Sequence, residues 1–585
     1  MKKFLTYEEL DEVIEMNSEY AIHWLEDSIE KILTRDTDKI VISAGKTPSG
    51  HVHVGILREL IIGDALQRIL KDRGNDVLFR IYFDSLDAAK RFPPYIDRNF
   101  AKKHAGKPFA CIPNPFPDTE DPSYAEYFGN ELFNALPKFG ISIQAIWSHE
   151  LYKTDEMQKQ IRIGLAQADR VKKIVLEHIT YKMDEEDKQE RYEQYENWMP
   201  AMVICEKCGT TQKKLPNGTI KPNRVIEFTA GDDTVSYSCP NCGNEGSVKV
   251  SSGIVKLNWR LDWPAKWAME PKNVFESSGK DHFTKMTGSW EVAKDLCKKI
   301  YDYEGPVGLG YEWVRLGDND MGTSRGVVYM PKTYLKMAEP ELFRMLVLRT
   351  NPGRHISFRI EEIGSLYDEF ERLERIYYGL EDPENEEIKR EIDFLYPLIR
   401  KDKVSETCPP QIPFKFLMIM AQLENLLSIE DICKKAQILQ KTKGISAKIE
   451  SEYMERRLMQ TKEWIAYMKN LIEEEKDPKT KKKLKYKVTS FSVPDKITSK
   501  ILDQLDGDQK KALGNLSDWL EETKEVTEEN LKDNMMRIKS ELGISSGKFF
   551  KAIYLILIGT KRGPRLGNFM PLLDIEWLRK RFSQV

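Results

Sequence analysis

A strand, a glycine-bearing turn, a long helix and a second strand follow one another near the start of the chain, and this succession most constrains the fold. The run Lys39-Ile-Val-Ile-Ser-Ala44 is short and apolar, as a strand covered on both faces is. A loop carrying Gly45 and Gly50 comes next. Val54, Leu57, Leu60, Ile61, Ala65, Leu66, Ile69 and Leu70 then keep helical spacing until Gly74, and residues 76–83 form the next apolar run. Strands joined through a helix run parallel, so the expectation is an α/β fold built on a parallel sheet. Such sheets bind ligands beyond the carboxyl ends of their strands, which puts the 45–55 loop at a binding site.

The chain has 585 residues, more than one core accommodates, so two to four domains are expected. No apolar run is long enough to span a bilayer, and the first residues lack the apolar centre of a signal peptide. A cytoplasmic protein with no membrane partner is the expectation. The formal net charge of −3 provides no global positive field for a nucleic acid, which leaves that role to local patches. The lysine-rich stretch 479–487 is one such patch, or a solvated helix end.

Four of the eight cysteines stand in two Cys-x-x-Cys pairs, Cys205 with Cys208 and Cys239 with Cys242, each pair followed by glycine. Two such knuckles separated by about thirty turn-rich residues suit a tetrahedral four-thiolate zinc site. With all four ligands cysteine, no position is left open for a substrate. The metal is expected to be structural, holding an insertion too small for a core of its own.

The remaining pattern divides the chain into an N-terminal helical segment (1–38), a sheet-bearing region (39–330) and helical parts (331–405 and 406–585). Within the sheet region, 85–200 and 201–250 read as insertions. Residues 145–147 and 305–316 read as strands, and the double proline at 409–410 and the 476–490 stretch as linkers.

Several motifs lie on this frame in order. Pro48-Ser-Gly-His-Val-His-Val-Gly-Ile56 occupies the first strand–helix turn. There Gly50 and Gly55 admit phosphate to the backbone, the helix N-terminus favours anions, and His53 can donate to a phosphate in the transition state. Further along come Pro122-Ser-Tyr-Ala-Glu126, Trp259-Arg-Leu-Asp-Trp263, Gly279-Lys-Asp-His282, Asp320-Met-Gly-Thr-Ser-Arg-Gly326 and Leu366-Tyr-Asp-Glu-Phe-Glu371. Together they resemble the class I lysyl-tRNA synthetases, the type found mainly in archaea and some bacteria. The first matches the HIGH motif at His53 and Gly55, with Ile56 in place of a polar residue and His51 two positions early. The 320–326 segment resembles the KMSKS loop, with Asp320 in place of its first lysine and Gly322 in place of a serine.

The resemblance implies a Rossmann-like catalytic domain with a zinc-binding insertion, followed by an all-α anticodon-binding helical cage. It implies ATP, L-lysine and tRNA(Lys) as partners, Mg²⁺ with the ATP, and a monomer. The implied catalytic residues are His53, Gly55, Ser324 and Arg325. ATP binding falls to these with Pro48, Ser49, Gly279, Asp281, Met321 and Thr323, and lysine binding to Gly45, Thr47, Trp259, His282 and Tyr311. Asp84, Asp87, Asp262 and Asp281 are available to accept the substrate ammonium. In the C-terminal half, Phe549, Phe550 and Tyr554 beside the basic loop 561–565 offer stacking and phosphate contacts for anticodon bases. Ile56 and Asp320 leave open a tRNA-binding relative with weakened catalysis. A glutamate enzyme is the other alternative, although it would need cations in its pocket.

Overall fold

The computed structural model describes residues 23–585 apart from 216–217, 285–287, 318, 323–328, 424–425 and 489. The first described helix, α1 (Leu25–Leu33), precedes β1 (Ile40–Lys46). Helix α2 (Ile56–Asp72) crosses over to β2 (Val77–Phe83). After α3 (Tyr124–Phe133), β3 (Gln144–Trp147) completes one half of the sheet. The other half follows the cysteine-bearing insertion: α4 (Trp259–Ala268), β4 (Asn273–Gly279), α5 (Ser289–Tyr301) and β5 (Val307–Tyr311).

The five strands lie in the order β5-β4-β1-β2-β3, and every pairing is parallel. The order reverses at β1, between β2 on one side and β4 on the other. This is the topological switch point, where a crevice opens at the strand carboxyl ends. Val41, Ile42 and Ala44 of β1 are buried, as the apolar run predicts. Helix α2 packs so closely on β2 that a Cβ at Gly63 would fall 2.4 Å from the Phe79 ring. Arg58, in the same helix, is fully buried and donates to the carbonyls of Glu312, Asn351, Pro352 and Arg354.

Two sequence expectations need correction here. The 305–316 run is not one strand: β5 ends at Tyr311, and Val314–Leu316 joins a separate small sheet with Asn319–Asp320 and Ile356–Phe358. The break falls at Glu312, whose N–H donates to Pro352 and whose carbonyl accepts from Arg58. The 476–490 stretch, read as a linker, contains the helix Pro478–Lys487, capped by the Asp477 side chain on the Thr480 N–H.

The chain forms two compact units. One comprises the residues up to Tyr334 with Pro340–Phe358 and Asn385–Lys403; the other takes Leu335–Glu339, Arg359–Glu384 and Val404–Val585. The 331–405 stretch is thus shared between them. The second unit is helical, with Ser451–Glu474, Gly507–Glu522, Glu528–Leu542 and Ser546–Ile558 among its longer elements. Capping boxes at Asp506 with Gln509 and at Thr527 with Asn530 start two of these helices.

Candidate active site

At the switch point a cavity of about 430 Å³ opens beyond β1 and β4. This is the size range that takes a small ligand. Gly45, Thr47 and Ser49 border it from the first turn, and Trp259, Trp263 and His282 from the second half of the sheet. The Gly45 N–H donates to Glu59 Oε1 (3.1 Å), and Thr47 Oγ1 donates to Asp87 (3.0 Å). His282 Nδ1 lies 2.6 Å from Ser289 Oγ, and its ring meets Trp263 edge-on. Trp259 is 43% exposed, with the Arg260 guanidinium 4.4 Å from its ring centre.

The cavity is rich in acid, but most of that acid is already neutralised. Lys266 lies 2.6 Å from Asp84 and 2.7 Å from Asp262, and Lys256 lies 3.2 Å from Asp87. Tyr152 also donates to Asp262. Glu276 accepts from Ser43, Trp263, Trp267 and Asn273 at 2.6–3.0 Å. Glu59 differs: its partners are neutral, the Gly45 N–H and the Tyr311 hydroxyl, the latter at 2.7 Å. Burial pushes its carboxyl up to about 8, against the pull of these hydrogen bonds. Tyr311 stands behind Glu59 and acts on the cavity through it.

Sequence reading missed Glu59 and Glu276. The available signal for Glu59 was a carboxylate inside an apolar helical stretch, between Leu57 and Leu60. Strand β4 was missed for the same kind of reason: only Val274 and Phe275 are apolar, and its polar residues are buried against partners. Asp84, Asp87 and Asp262 were named as ammonium acceptors. The resident lysines already bound to them make Glu59 the better-placed acceptor.

The HIGH-like turn adjoins this cavity. The Gly55 N–H donates to His53 Nδ1 at 3.1 Å, which in the neutral ring leaves the proton on Nε2. A Cβ at residue 55 would sit 2.7 Å from Nδ1 and Cε1 of His53, so glycine is what lets the ring fold back here. Ile56 is buried and supplies no polar contact. His51 turns towards α3, its Nδ1 2.7 Å from Glu131, which Lys332 also contacts. Pro48 is buried, and the Ser49 carbonyl accepts from Tyr124.

Thr323, Ser324 and Arg325 lie outside the described residues; their flanks are described. Met321 is buried, and the Asp320 carboxylate accepts from Arg315 Nε at 2.8 Å. The anion that replaces a lysine in the KMSKS-like segment therefore has a cation of its own. On the far flank the Tyr329 carbonyl accepts from the Val54 N–H (2.8 Å), which joins this segment to the residue after His53. Gly279 ends β4, and Asp281 lies exposed in the turn that follows.

In the insertion, the four cysteine sulfurs lie within 4.8 Å of one another, and the closest pairs are 3.6 and 3.7 Å apart. A tetrahedron with Zn–S bonds of about 2.3 Å has edges of about 3.75 Å, so the cluster could hold zinc. Each knuckle closes through its glycine: the Gly209 and Gly243 N–H groups donate to Cys205 and Cys239, with φ of 71° and 70°. In the helical unit, Phe549 is buried core rather than an exposed stacking surface. Phe550 is 40% exposed, and the Tyr554 hydroxyl donates to the Pro564 carbonyl.

A family model described as tRNA synthetases class I (K) matches residues 22–397, and one described as an anticodon binding domain matches 448–585. The lysine–tRNA ligase of Methanocaldococcus jannaschii is 30% identical over 573 residues, covering 96% of this chain and 99% of that one. Those of Pyrococcus horikoshii and Thermococcus kodakarensis are each 31% identical, with the same coverage. Among solved structures, a glutamate tRNA ligase from Elizabethkingia meningosepticum shares only the remote likeness of 13% identity and a TM-score of 0.38, over 93% of this chain and 98% of that one.

Proposed function

The chain belongs to the class I lysine-type tRNA synthetases, and on that premise we propose how its residues divide the reaction. The protein is an ATP-dependent lysine–tRNA ligase: it activates lysine as the adenylate and transfers it to tRNA.

Glu59 is the acceptor for the side-chain ammonium of the substrate. The observation that supports this most directly is a buried carboxyl at the cavity wall, fixed by Gly45 and Tyr311 but lacking a cation within salt-bridge distance among the described residues. A lysine ammonium completes that pairing, whereas a glutamate side chain placed against Glu59 would bring a second carboxyl to it, which disfavours the glutamate alternative. Trp259, Thr47 and His282 line the path of the aliphatic stem. The substrate carboxylate then attacks the α-phosphorus of ATP and pyrophosphate leaves. His53 donates to the phosphates from Nε2, and Gly55 with the α2 N-terminus brings backbone close to them. Pro48, Ser49, Gly279, Asp281 and Met321 shape the nucleotide site, and Thr323, Ser324 and Arg325 supply its hydroxyls and cation. Mg²⁺ held with ATP would neutralise phosphate charge.

The four cysteines hold a structural zinc, the helical unit reads the lysine anticodon, and the protein works as a cytoplasmic monomer. No described helix is long and apolar enough to cross a membrane. The deciding experiment is ATP–pyrophosphate exchange with each of the twenty amino acids. Exchange with lysine alone is expected, abolished or strongly weakened by Glu59→Gln. Unchanged lysine dependence in a folded Glu59→Gln protein removes Glu59 from the pocket.

A further inference from the structure

Two lysines, Lys46 and Lys266, line the cavity at the switch point, and a third, Lys256, reaches the Asp87 and Asp262 carboxylates of its wall; the fold consumes Lys266 and Lys256. Lys266 lies between Asp84 and Asp262, and Lys256 is paired with Asp87. Lys46 is different. It is the last residue of β1, it borders the same cavity, and among the described residues its ammonium has no carboxylate within 4.0 Å and no hydrogen-bond acceptor. A cation drawn out of water without a partner is costly, and burial accordingly pulls the Lys46 ammonium below its ordinary pKa, with Glu59 acting in the opposite sense. The two groups feel each other without touching: the Glu59 oxygens are taken by Gly45 and Tyr311.

The substrate supplies what is missing. Lysine carries one carboxylate and two ammonium groups. The cavity offers acid for the ammonium groups, and Lys46 is its one cation not already spent among the described residues. We propose that Lys46 is a substrate-contacting residue whose ammonium receives the carboxylate of the amino acid and holds it at the end of β1, facing the nucleotide. The proposal rests on reading this cavity as the lysine site with Glu59 as the acceptor for the side chain. In the activation step one carboxylate oxygen bonds to the α-phosphorus as the bond to the pyrophosphate oxygen breaks. No proton moves. Lys46 stays cationic throughout and faces first the carboxylate, then the mixed anhydride.

The test compares lysine with lysinamide, which keeps both ammonium groups and lacks the carboxylate. Direct binding to the full-length protein is measured by calorimetry, beside pyrophosphate exchange with lysine. Lys46→Met is expected to weaken lysine binding roughly tenfold or more, as loss of a charge-assisted contact does. Its effect on lysinamide should stay within about twofold, because that ligand never used the contact. Lys46→Arg should retain most of the lysine affinity. Equal losses for the two ligands, no loss for lysine, or tighter lysine binding would each overturn the assignment; the last would mean that Lys46 competes with the substrate for Glu59. If Lys46→Met does not fold, the native protein still decides, because equal affinity for lysine and lysinamide is incompatible with a carboxylate contact. Failure of the underlying reading is separate: it shows as a Glu59→Gln protein that binds both ligands as the native one does.

Discussion

The Tyr311 hydroxyl donates to Glu59 Oε2 across 2.7 Å, joining the last strand of the core sheet to the helix that begins at the HIGH-like turn. The bond orients a carboxyl that has no cation within salt-bridge distance among the described residues. Tyr311→Phe should leave the fold intact and raise KM for lysine several-fold, the cost of one hydrogen bond to a charged group. Steady-state pyrophosphate exchange measures it. An unchanged KM would mean that Glu59 is held by Gly45 alone.

The raised carboxyl also gives lysine binding a pH dependence. With its pKa near 8, Glu59 is mostly protonated at pH 6 and ionises as the pH rises through 8. Ammonium binding needs the ionised form, so lysine affinity should climb over this window and then level off. In the absence of lysine the sign is opposite for stability. The folded pKa lies above the ordinary carboxylate value, so this group's contribution to stability is full at acid pH and is lost as the pH rises through about 8. Thermal melts with and without lysine at pH 6 and pH 9 measure both: lysine should raise Tm more at pH 9. An identical lysine effect at the two pH values would sink the assignment.

His53 depends on its neighbour. His53→Ala should lower turnover in pyrophosphate exchange by roughly 10²-fold, as loss of one transition-state donor does. Gly55→Ala should lower turnover too, because the new Cβ occupies the space of the imidazole. Its effect should nearly vanish in the His53→Ala background, and a double-mutant cycle tests that coupling. Fully additive losses would show that Gly55 acts on something other than the ring.

Much of this turn was legible in the sequence, and it is instructive where legibility stopped. The apolar periodicity of α2 and the apolar run of β1 announce the βαβ unit because burial dictates composition there. The cysteine knuckles were equally plain, since the φ near 70° at Gly209 and Gly243 demands the residue that stands there. Strand β4 was hidden because Glu276 gains its buried place from four donors scattered between residues 43 and 273, a contact set that no local pattern carries. Glu59 and Lys46 were hidden for a related reason. A charged residue in a helix or at a strand end looks like surface until the sheet order brings it to the cavity.

Removing the metal should affect the insertion first. A chelator strong enough to strip a four-thiolate zinc site should release about one zinc per chain and expose all four thiols to titration, since the metal is what ties the two knuckles together. Thiol titration against metal analysis follows it. Metal-free protein with its insertion protease-resistant and full activity would refute a structural zinc.

The helical unit has a cavity of about 280 Å³ bordered by Met536, Phe550, Lys532, Lys539 and Arg565, where a base can stack and cations can hold its phosphate. Phe550→Ala and Lys539→Ala should raise KM for tRNA in aminoacylation and reduce discrimination against altered anticodons. Pyrophosphate exchange should not change. Equal charging of native and altered transcripts by the unmodified protein would remove anticodon reading from this unit.

The carbonyls that receive the Arg58 guanidinium are 254 to 296 residues further along the chain. A ribosome delivers the N-terminal end first, at a few residues to a few tens per second. The helix that follows the first strand–helix turn is therefore finished early, yet its arginine lacks the full set of these four carbonyls until residue 354 has left the exit tunnel, when well over half of the polypeptide exists. An early part of the nascent enzyme must wait for a younger part before the helix that follows the HIGH-like turn can make its native contacts.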